Sequence, residues 1–442
     1  MKQTNPTVGI YTLGCKVNQY ESEAIAERFS LDGFEILPPQ EICDVYVINT
    51  CTVTGESDRK ARQFIRRAIR RNPEAYILVT GCFSQTSPQA VAAIGGVDFI
   101  CGNADKQAVI GAARALLEGG KKNGRPDVYA EPPDAHGFES MCIRKFDRTR
   151  AYVKIEDGCE NRCTYCIIPA ARGKVRSKDP DDVVAEVTEL VRGGCREIVL
   201  TGIETASYGR DLPDCTLADL LERVDSIPGI GRVRLGSLDP SLMKQPFVER
   251  IARLRSLAPH FHLSIQSGSD TVLTRMKRKY NSRMALEGME RLRRAIPEVQ
   301  FTTDVIVGFP QESEKEFSET LDFVRAARFL MIHVFPYSRR KGTEADRMAG
   351  QLPEAIKHER VRLLAAEQAT IRRAILDGMV GREADVLFET DEKGFAYGHT
   401  ADFIEVCCPS PLPLHGEIFP VRIEGNDGTL CRGKILRSSF QE

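Results

Sequence analysis

The sequence predicts an α/β protein built as three successive domains. An N-terminal α/β domain with a parallel sheet precedes a central partial (βα)6 TIM-like barrel and a small C-terminal antiparallel β-barrel. Strand-like and helix-like patterns alternate as far as about residue 375, which favours parallel sheets covered by helices. Beyond residue 378 only short β-rich runs remain, separated by Gly, Pro and Asn turns. The 442 residues also exceed what one ordinary core supports.

The composition predicts a soluble, cytoplasmic protein that uses its cysteines for metal or redox chemistry. Hydrophobic residues make up 42% and charged residues 28% of the chain. The N-terminus lacks the apolar core of a signal peptide, and no apolar run approaches a membrane span, so no membrane association is expected. Fourteen cysteines without an export signal favour metal or redox use over disulfides. The net charge of -1 means that any binding of nucleic acid must come from local patches.

Residues 1–120 predict an α/β domain with three cysteines at one edge of its sheet. Strands are predicted at Val8–Leu13, Val45–Asn49, Tyr76–Thr80 and Val97–Ile100. Helices are predicted at Tyr20–Leu31, Asp58–Arg71 and Ala104–Leu117. Cys15, Cys51 and Cys82, here called the sheet cysteines, each follow one of these strands. Because parallel strands send their carboxyl ends to one edge, we expect the three thiols to converge there.

An alternative interpretation is that the sheet cysteines are ordinary buried residues, because free cysteine is common in protein cores. Their equivalent positions beside Gly or Asn-Thr favour a shared site instead. Cys43 and Cys101 lack that context and are interpreted as structural.

A polar segment at 121–145, rich in Pro and Gly, is predicted to link this domain to the central barrel at 146–376. Six strand–helix pairs favour a barrel short of the full eight. Its strands are predicted at Tyr152–Glu156, Glu197–Thr201, Val233–Gly236, His262–Gln266, Thr302–Val307 and His333–Pro336. Its helices are predicted at Asp181–Val191, Leu217–Ser226, Gln245–Leu254, Ser282–Ala295, Glu314–Ala326 and Glu354–Leu376. In such barrels the chemistry lies at the carboxyl ends of the strands.

Three cysteines follow the first barrel strand within one short loop. Cys159, Cys163 and Cys166, here called the barrel cysteines, are separated by three and then two residues, so one small inorganic centre could be held by all three. A structural zinc takes a closed set of four ligands, whereas a four-iron four-sulfur (4Fe–4S) cluster on three thiolates keeps one iron open. Thiolates suit both metals. A zinc site with a distant fourth ligand and unrelated buried cysteines therefore stay as alternatives.

The cysteine loop resembles the signature of the radical S-adenosylmethionine (SAM) enzymes. The spacing Cys-x3-Cys-x2-Cys, with Tyr165 before the last cysteine, carries this resemblance. The continuation from Cys163 to Gly173, Cys-Thr-Tyr-Cys-Ile-Ile-Pro-Ala-Ala-Arg-Gly, is similar more narrowly to the methylthiotransferases. In that family SAM chelates the open iron and is cleaved to a 5′-deoxyadenosyl radical, which a cofactor must supply because no side chain can.

The resemblance to methylthiotransferases implies two 4Fe–4S clusters and two molecules of SAM. The barrel cysteines would hold the catalytic cluster. The sheet cysteines would hold an auxiliary cluster that delivers a sulfur methylated by the second SAM. The product would be a methylthioether in place of a C–H bond.

The same resemblance implies that loops at the barrel strand ends bind SAM. Gly allows the backbone to approach a ligand closely, and Ser and Gln supply hydrogen bonds. The implied cofactor-binding residues are Tyr165, Gly202, Glu204, Gln266, Ser267, Gly268 and Gly308. Family members often carry another polar residue where Glu204 stands.

Residues 377–442 resemble the TRAM domain that ends methylthiotransferases, a small barrel often used on RNA. Strands are predicted at Ala384–Glu389, Ala396–His399, Ile404–Cys407, Ile418–Ile423 and Leu430–Leu436. Acidic residues outnumber basic ones here, which disfavours binding of RNA by bulk electrostatics. The cationic run Arg59–Arg71 fits an amphipathic helix. Such a run is usually a solvated face, but it is also compatible with docking a folded RNA through its phosphates.

Three branches of the family differ in substrate: isopentenyladenosine in tRNA, N6-threonylcarbamoyladenosine at position 37 of tRNA (t6A37), and an aspartate of a ribosomal protein. The residues around Cys15 and Cys51 are most similar to the t6A branch, and Lys16 stands where the ribosomal branch typically has Pro. The resemblance therefore implies methylthiolation of t6A37 in the tRNA anticodon arm, with an electron donor such as flavodoxin or ferredoxin. An alternative from a different class of protein is a non-enzymatic, metal-containing protein that binds RNA.

Overall fold

The N-terminal part of the protein is a six-stranded parallel sheet in the order β2-β1-β3-β4-β5-β6. A computed structural model describes residues 5–119, 125–146 and 148–436. The strands are β1 (Thr7–Thr12), β2 (Glu35–Leu37), β3 (Val45–Thr50), β4 (Tyr76–Gly81), β5 (Phe99–Cys101) and β6 (Asp127–Tyr129). The helices are α1 (Lys16–Leu31), α2 (Gly55–Arg71), α3 (Cys82–Thr86), α4 (Pro88–Ala92) and α5 (Ala108–Gly119). Strand β3 is buried along its whole length and contributes to cores on both faces, as an apolar central strand requires. The predicted parallel sheet is confirmed.

Two strands at the sheet edges were not predicted, because each has only three residues. Strand β2 pairs with β1, and β6 pairs with β5. Strand β6 lies within the segment 121–145, of which residues 121–124 lie outside the described residues. Farther along this segment Met141 and Ile143 are buried in the core. The described part of this segment therefore adds a strand to the sheet and packs against the core.

The central part contains six parallel strands in a partial barrel, as predicted. Two three-stranded sheets, β11-β10-β7 and β12-β13-β14, are joined by bridges from Val233 to Leu257 and from Leu238 to Leu263. The strands are β7 (Ala151–Lys154), β8 (Glu156–Asp157), β9 (Arg176–Ser177), β10 (Glu197–Thr201), β11 (Arg232–Leu235), β12 (His260–Gln266), β13 (Gln300–Val307) and β14 (Met331–Pro336). Strands β8 and β9 form a separate antiparallel pair at the base of the cysteine loop.

Helices follow the barrel strands in turn. They are α6 (Ile168–Arg172), α7 (Pro180–Arg192), α8 (Leu217–Asp225), α9 (Gln245–Ile251), α10 (Asp270–Arg275), α11 (Ser282–Ala295), α12 (Glu314–Ala327) and α13 (Glu354–Asp377). Helix α12 begins at a capping box, in which Ser313 and Glu316 satisfy each other's backbone N–H groups. Within the three described ranges, no helix combines the length and apolar composition that crossing a bilayer requires.

The C-terminal part is a closed barrel in the order β15-β16-β17-β19-β18. Its strands are β15 (Glu383–Glu392), β16 (Phe395–Thr400), β17 (Glu405–Pro409), β18 (Ile418–Asn426) and β19 (Cys431–Ile435). The pair β17–β19 is parallel and the other pairs are antiparallel, so the prediction of a small barrel is confirmed with one exception in strand direction. We propose the limits 1–120, 146–376 and 377–442 for the three domains, with a connecting segment at 121–145 that contributes β6 to the N-terminal sheet.

Helix α1 joins the N-terminal sheet to the central barrel. The Tyr20 hydroxyl donates to the carbonyl oxygen of Met141 at 2.6 Å and lies 3.1 Å from Glu186 of α7. Side chains of both domains, among them Ile25 of α1 and Val153 of β7, belong to one hydrophobic core. The two domains therefore fold against each other as one unit.

The C-terminal barrel is anchored to the central barrel through Phe403, which adopts a positive φ of 74°. Its ring stacks on His260 and on His399, with 4.6 Å between centroids in each case. The guanidinium carbons of Arg234 and Arg150 lie 4.9 and 5.8 Å from the ring centroid. His260 is the first residue of β12 and Arg150 precedes β7, so Phe403 packs against the amino end of the barrel.

Ionic contacts reinforce this interface. Arg150 donates to Glu389 at 2.6 Å, and Arg232 donates to the carbonyl oxygen of Asp385 at 2.7 Å. Burial acts to raise the pKa of Glu389, but hydrogen bonds from His399 and Arg150 outweigh it and hold this pKa at about 2. Because the folded-state pKa is depressed, this stabilisation is present above the ordinary glutamate range and is lost as the pH falls toward 2.

Substituting Phe403→Ala should lower the free energy of unfolding by about 2 kcal/mol, because packing and cation–π contacts are lost together. Denaturant unfolding measures this change. Phe395→Ala is the matched control, since Phe395 lies on β16 of the same barrel and is 42% exposed. The free energy of unfolding of the control should stay within about 0.5 kcal/mol of that of the parent protein. Equal effects of the two substitutions would show that Phe403 does not anchor the barrel.

Candidate active site

The three sheet cysteines lie at the carboxyl edge of the N-terminal sheet. Cys15 is the N-cap of α1, Cys51 follows β3, and Cys82 follows β4. Strands β1, β3 and β4 are neighbours, and Cys15 interacts electrostatically with both Cys51 and Cys82. Gly14 has a φ of 108°, and a Cβ there would lie 3.0 Å from the Cys51 sulfur. This glycine allows the Cys15 loop to approach Cys51 closely.

The protein environment disfavours ionisation of Cys15 and Cys51. Cys15 is exposed, yet desolvation by the surrounding protein raises its pKa to about 11, although the nearby Arg172 guanidinium acts in the opposite direction. Burial, followed by the neighbouring Cys82, also raises the pKa of Cys51. Because thiolates and not thiols bind metals, occupancy of this site would release protons.

The barrel cysteines lie on the loop between β8 and α6. The Cys159 amide donates to the carbonyl oxygen of Gly173 at 3.0 Å. Gly158 has a φ of 91°, and a Cβ there would lie 1.9 Å from the carbonyl oxygen of Lys174, so this position requires glycine. Cys159 interacts electrostatically with Cys163 and Cys166. Burial raises the pKa of Cys159 and of Cys166 to about 12.

One thiol of each group accepts a hydrogen bond from a buried arginine. Arg172 Nε lies 3.3 Å from the Cys82 sulfur, and an Arg278 guanidinium nitrogen lies 3.1 Å from the Cys163 sulfur. Arg278 is held in turn by Asp239, at 2.9 Å. A guanidinium at this distance stabilises negative charge on sulfur. The sequence contains no signal for the role of Arg278, which stands within the cationic run 275–279.

Arg172 lies at the centre of a buried charge network between the two cysteine groups. It donates to Glu21 of α1, to Asn18 at 2.8 Å, and to Asp157 at 3.2 Å. Lys154 donates to the same Glu21 at 3.0 Å and to Asp157 at 3.1 Å. Burial opposes ionisation of Glu21, but Arg172 and two lysines outweigh it and hold the pKa of Glu21 well below its ordinary value. The network therefore fixes the sheet cysteines relative to the loop that starts at Asp157.

A second group of acids lies beside the barrel cysteines. The Glu204 amide donates to a Glu156 carboxylate oxygen at 2.7 Å, and Glu204 accepts from Asn161 at 3.1 Å. Burial, and then the charge of Asp239, raise the pKa of Glu204 to about 7. Gly202 lies against Glu156, since a Cβ there would be 2.6 Å from its carboxylate. Of the two predicted residues at this strand end, Glu204 presents a polar side chain and Gly202 permits close packing.

The remaining predicted residues differ in position. Gln266 ends β12 with a φ of 67°, on the strand end that faces the cysteine loop. Ser267 and Gly268 pack against α12 instead, and a Cβ on Gly268 would lie 2.5 Å from that of Phe323. Gly308 packs against Lys357, and a Cβ on Gly308 would lie 2.5 Å from the Lys357 side chain. The two glycines are required by close helix packing, so any ligand contact there would come from backbone atoms.

Tyr165 packs in a small apolar cluster with Phe309 and Tyr337. Its ring centroid lies 6.5 Å from that of Phe309, edge to face. Burial raises the pKa of Tyr165 well above its ordinary value, so its phenol stays neutral. The ring therefore supports the cysteine loop by packing.

The donor groups at both positions suit the predicted cofactors. Within the described residues, no three His, Cys, Asp or Glu side chains are close enough to hold one metal ion; the thiolates of a multi-iron cluster are spread more widely than those around one ion. Near the barrel cysteines, Glu156 Oε1 and Asn161 Oδ1 are buried acceptors without a hydrogen-bond partner. The ammonium group of SAM carries the donors that such acceptors lack.

Comparison with known proteins agrees with this geometry. Residues 153–324 match the radical SAM superfamily, and residues 7–102 match the uncharacterized protein family UPF0004. The chain is 42% identical to a threonylcarbamoyladenosine tRNA methylthiotransferase of Bacillus subtilis, across 94% of this chain and 93% of that protein. It is 39% identical to a protein of the same name from Thermotoga maritima, across 87% of this chain and 86% of that protein. The chain is also 36% identical to a tRNA-2-methylthio-N(6)-dimethylallyladenosine synthase of Moorella thermoacetica, across 99% of this chain and 100% of that protein.

A solved structure shares the fold. The radical SAM methyltransferase TsrM from Kitasatospora setae superposes with a TM-score of 0.56 at 15% identity, across 77% of this chain and 75% of that one. At this identity the likeness supports the fold alone.

The partial barrel with three cysteines after its first strand defines a radical SAM enzyme. More narrowly, the chain belongs to the tRNA methylthiotransferase family. The predictions of an enzyme of this family and of 4Fe–4S and SAM cofactors are thereby confirmed.

Substituting Arg172→Met should lower the free energy of unfolding by about 3–5 kcal/mol, because Glu21 and Asp157 would lose their shared buried counter-charge. Denaturant unfolding measures the loss. Arg192→Met is the matched control, since Arg192 also ends a helix but is 72% exposed. The control should change stability by less than about 1 kcal/mol. A similarly small effect at Arg172 would contradict the role given to the network.

Proposed function

We propose that the protein converts t6A37 of tRNA to its 2-methylthio derivative, using two molecules of SAM and two 4Fe–4S clusters. The observation that carries this proposal is the pair of three-cysteine groups joined by Arg172, which contacts Cys82 of one group and Asp157 at the start of the other loop. The relatives named above support tRNA as the substrate. The identity of 42% to a threonylcarbamoyladenosine enzyme, against 36% to a dimethylallyladenosine enzyme, supports t6A as the target base.

In this proposal the barrel cysteines hold the catalytic cluster and the sheet cysteines hold the auxiliary one. When bound, the catalytic cluster and SAM would supply radical chemistry at a C–H bond, and the auxiliary cluster would supply sulfur. Arg278 and Arg172 would each stabilise one thiolate, at Cys163 and Cys82.

The residues proposed to bind SAM fall into two sets. Glu204 and Tyr165 lie within electrostatic range of the barrel cysteines, and Gln266 ends β12 at the same edge of the barrel. The backbone at Gly202, Ser267, Gly268 and Gly308 supplies the remaining predicted contacts. In this division the glycines shape the strand ends and the polar side chains orient the ligand.

Lys16 offers a physical basis for preferring t6A. Lys16 is an exposed residue, and its ammonium lies within electrostatic range of Arg234, Glu197 and Asp304 of the barrel. Burial, followed by Arg234 and Arg150, lowers the pKa of this ammonium. Among the described residues it has no hydrogen bond or ion pair. The threonylcarbamoyl group carries a carboxylate that this cation could bind, whereas the isopentenyl group is apolar.

The remaining alternatives receive less support. Isopentenyladenosine would place no charge opposite Lys16. A ribosomal aspartate is disfavoured because the relatives that cover most of the chain are named for tRNA, and membership of an enzyme family removes the non-enzymatic alternative. We also propose that the protein works in the cytoplasm, on the anticodon arm of tRNA, with an electron donor such as flavodoxin or ferredoxin.

Two cysteine substitutions separate the proposed roles of the clusters. Cys163→Ala should abolish reductive cleavage of SAM, because the catalytic cluster loses a ligand. Cys51→Ala should preserve cleavage but stop sulfur insertion, because only the auxiliary cluster is damaged. The formation of 5′-deoxyadenosine and the nucleosides of t6A-containing tRNA are measured by mass spectrometry after anaerobic reconstitution. Full methylthiolated product from the Cys51 variant would refute the auxiliary site.

Substituting Lys16→Met should lower kcat/KM for t6A-containing tRNA by about tenfold to a hundredfold, because one charge-assisted hydrogen bond to the substrate is lost. Lys16→Arg keeps the charge and should restore most of the activity. Because Lys16 adjoins Cys15, iron content and SAM cleavage without tRNA serve as controls and should be unchanged. Turnover of t6A by the Met variant at the parent rate would exclude Lys16 as the reader of the carboxylate.

A further inference from the structure

Helix α2 presents a face that is almost wholly cationic. Ala61, Ile65 and Ala68, spaced by four and three residues, are buried against the sheet. The positions exposed on the opposite face from residue 59 onward are Arg59, Lys60, Gln63, Arg66, Arg67 and Arg70. Five of these six are cations and none is an acid. We name Lys60, Arg66, Arg67 and Arg70 the α2 basic face.

These cations are not neutralised within the protein. Arg59 pairs with Glu56 one turn earlier, and the Arg67 guanidinium lies 5.2 Å from the Phe64 ring. In the described part of the chain, Lys60, Arg66 and Arg70 form no ion pair. Like charges on one helix face repel, and this arrangement costs stability unless something anionic binds it.

Other exposed helices of the protein show the ordinary pattern. On α11, Arg283 and Arg294 each pair with a glutamate four residues away. On α13, Arg362 pairs with Glu359. Mixed charge of this kind describes a solvated surface. The absence of acids from the exposed positions of α2 after Glu56 therefore sets this helix apart.

The α2 basic face starts beside the candidate active site. Helix α2 begins four residues after Cys51, and Asp58 in its first turn pairs with Arg340, on the loop that follows β14 of the barrel. Lys341, next on that loop, is also exposed. From residue 59 to residue 70 the helix rises about 16 Å. A cationic track therefore runs outward from the edge of the site.

The C-terminal barrel does not offer a comparable surface. Its exposed Arg422 pairs with Glu383, and Arg432 lies 3.7 Å from Asp427. Both arginines are therefore neutralised locally. In the described part of this barrel Lys434 is exposed without an ion pair, whereas α2 presents three such cations on one face.

We propose that the α2 basic face binds the phosphodiester backbone of the tRNA substrate. The proposal rests on the proposed function only in taking tRNA as the substrate, and it does not depend on which modified adenosine is the target. Arginine and lysine that contact phosphates release counter-ions from the RNA, so affinity depends steeply on salt. The track beside the site would orient the anticodon arm while its target base enters the barrel.

The test compares Lys60→Gln/Arg66→Gln/Arg70→Gln with the parent enzyme. Dissociation constants for an in vitro tRNA transcript and for t6A-containing tRNA are measured between 50 and 200 mM salt, roughly the range over which phosphate contacts are resolved. The triple variant should bind both RNAs about a hundredfold more weakly at about 0.1 M salt, with a salt slope shallower by about 3. The affinities for the two RNAs should fall by the same factor, because the contacts are to phosphates.

A matched control removes the same charge elsewhere. Arg283→Gln/Arg294→Gln/Arg362→Gln on α11 and α13 should bind within about twofold of the parent. The conservative variant Lys60→Arg/Arg66→Lys/Arg70→Lys should retain binding. SAM cleavage without tRNA should be unchanged in all three variants, which verifies their folding.

The outcomes are distinguishable. If the parent binds tRNA and the triple variant binds it equally well, the docking proposal is overturned. If the parent binds no tRNA of either kind, the proposed function itself fails. Binding of polyglutamate in preference to tRNA through this face would assign the face to an acidic protein and would also overturn the proposal.

Discussion

The site depends on one buried side chain, Arg172, and on the acids that neutralise it. Its guanidinium contacts Glu21 of the N-terminal helix, Asp157 of the barrel and the sulfur of Cys82. A buried arginine without partners would cost several kcal/mol, so the two domains are held at the spacing at which both carboxylates reach it. The distance between the two cysteine groups is therefore set by a charge network, whereas hydrophobic packing supplies the stability around it.

The network also explains why the sheet cysteines stand where they do. Asn18, one turn into α1, accepts from Arg172 and donates to the carbonyl oxygens of Leu13 and Thr50. These contacts fix the loop of Cys15 against the loop of Cys51. A substitution of Arg172 would therefore alter the position of the thiols through the backbone of these loops, as well as the charge around the thiols.

The sequence allowed prediction of the features that depend on local pattern. Strand and helix periodicity predicts the parallel sheet, and the spacing of Cys159, Cys163 and Cys166 predicts a cluster loop. Contacts between distant elements have no such pattern. Arg278 reaches a sulfur 115 residues away in the chain, and Phe403 inserts between side chains of another domain. Gly268 and Gly308 resemble ligand-binding turns in sequence, but in the structure neighbouring helices occupy the space beside them.

The position of Phe403 has a consequence for how the C-terminal barrel is oriented. Its ring contacts His260 and Arg234 of the central barrel as well as His399 of its own barrel. The angle between the two barrels therefore depends on one side chain that both of them contact. A smaller residue at this position would leave that angle less well defined, even where each barrel kept its own fold.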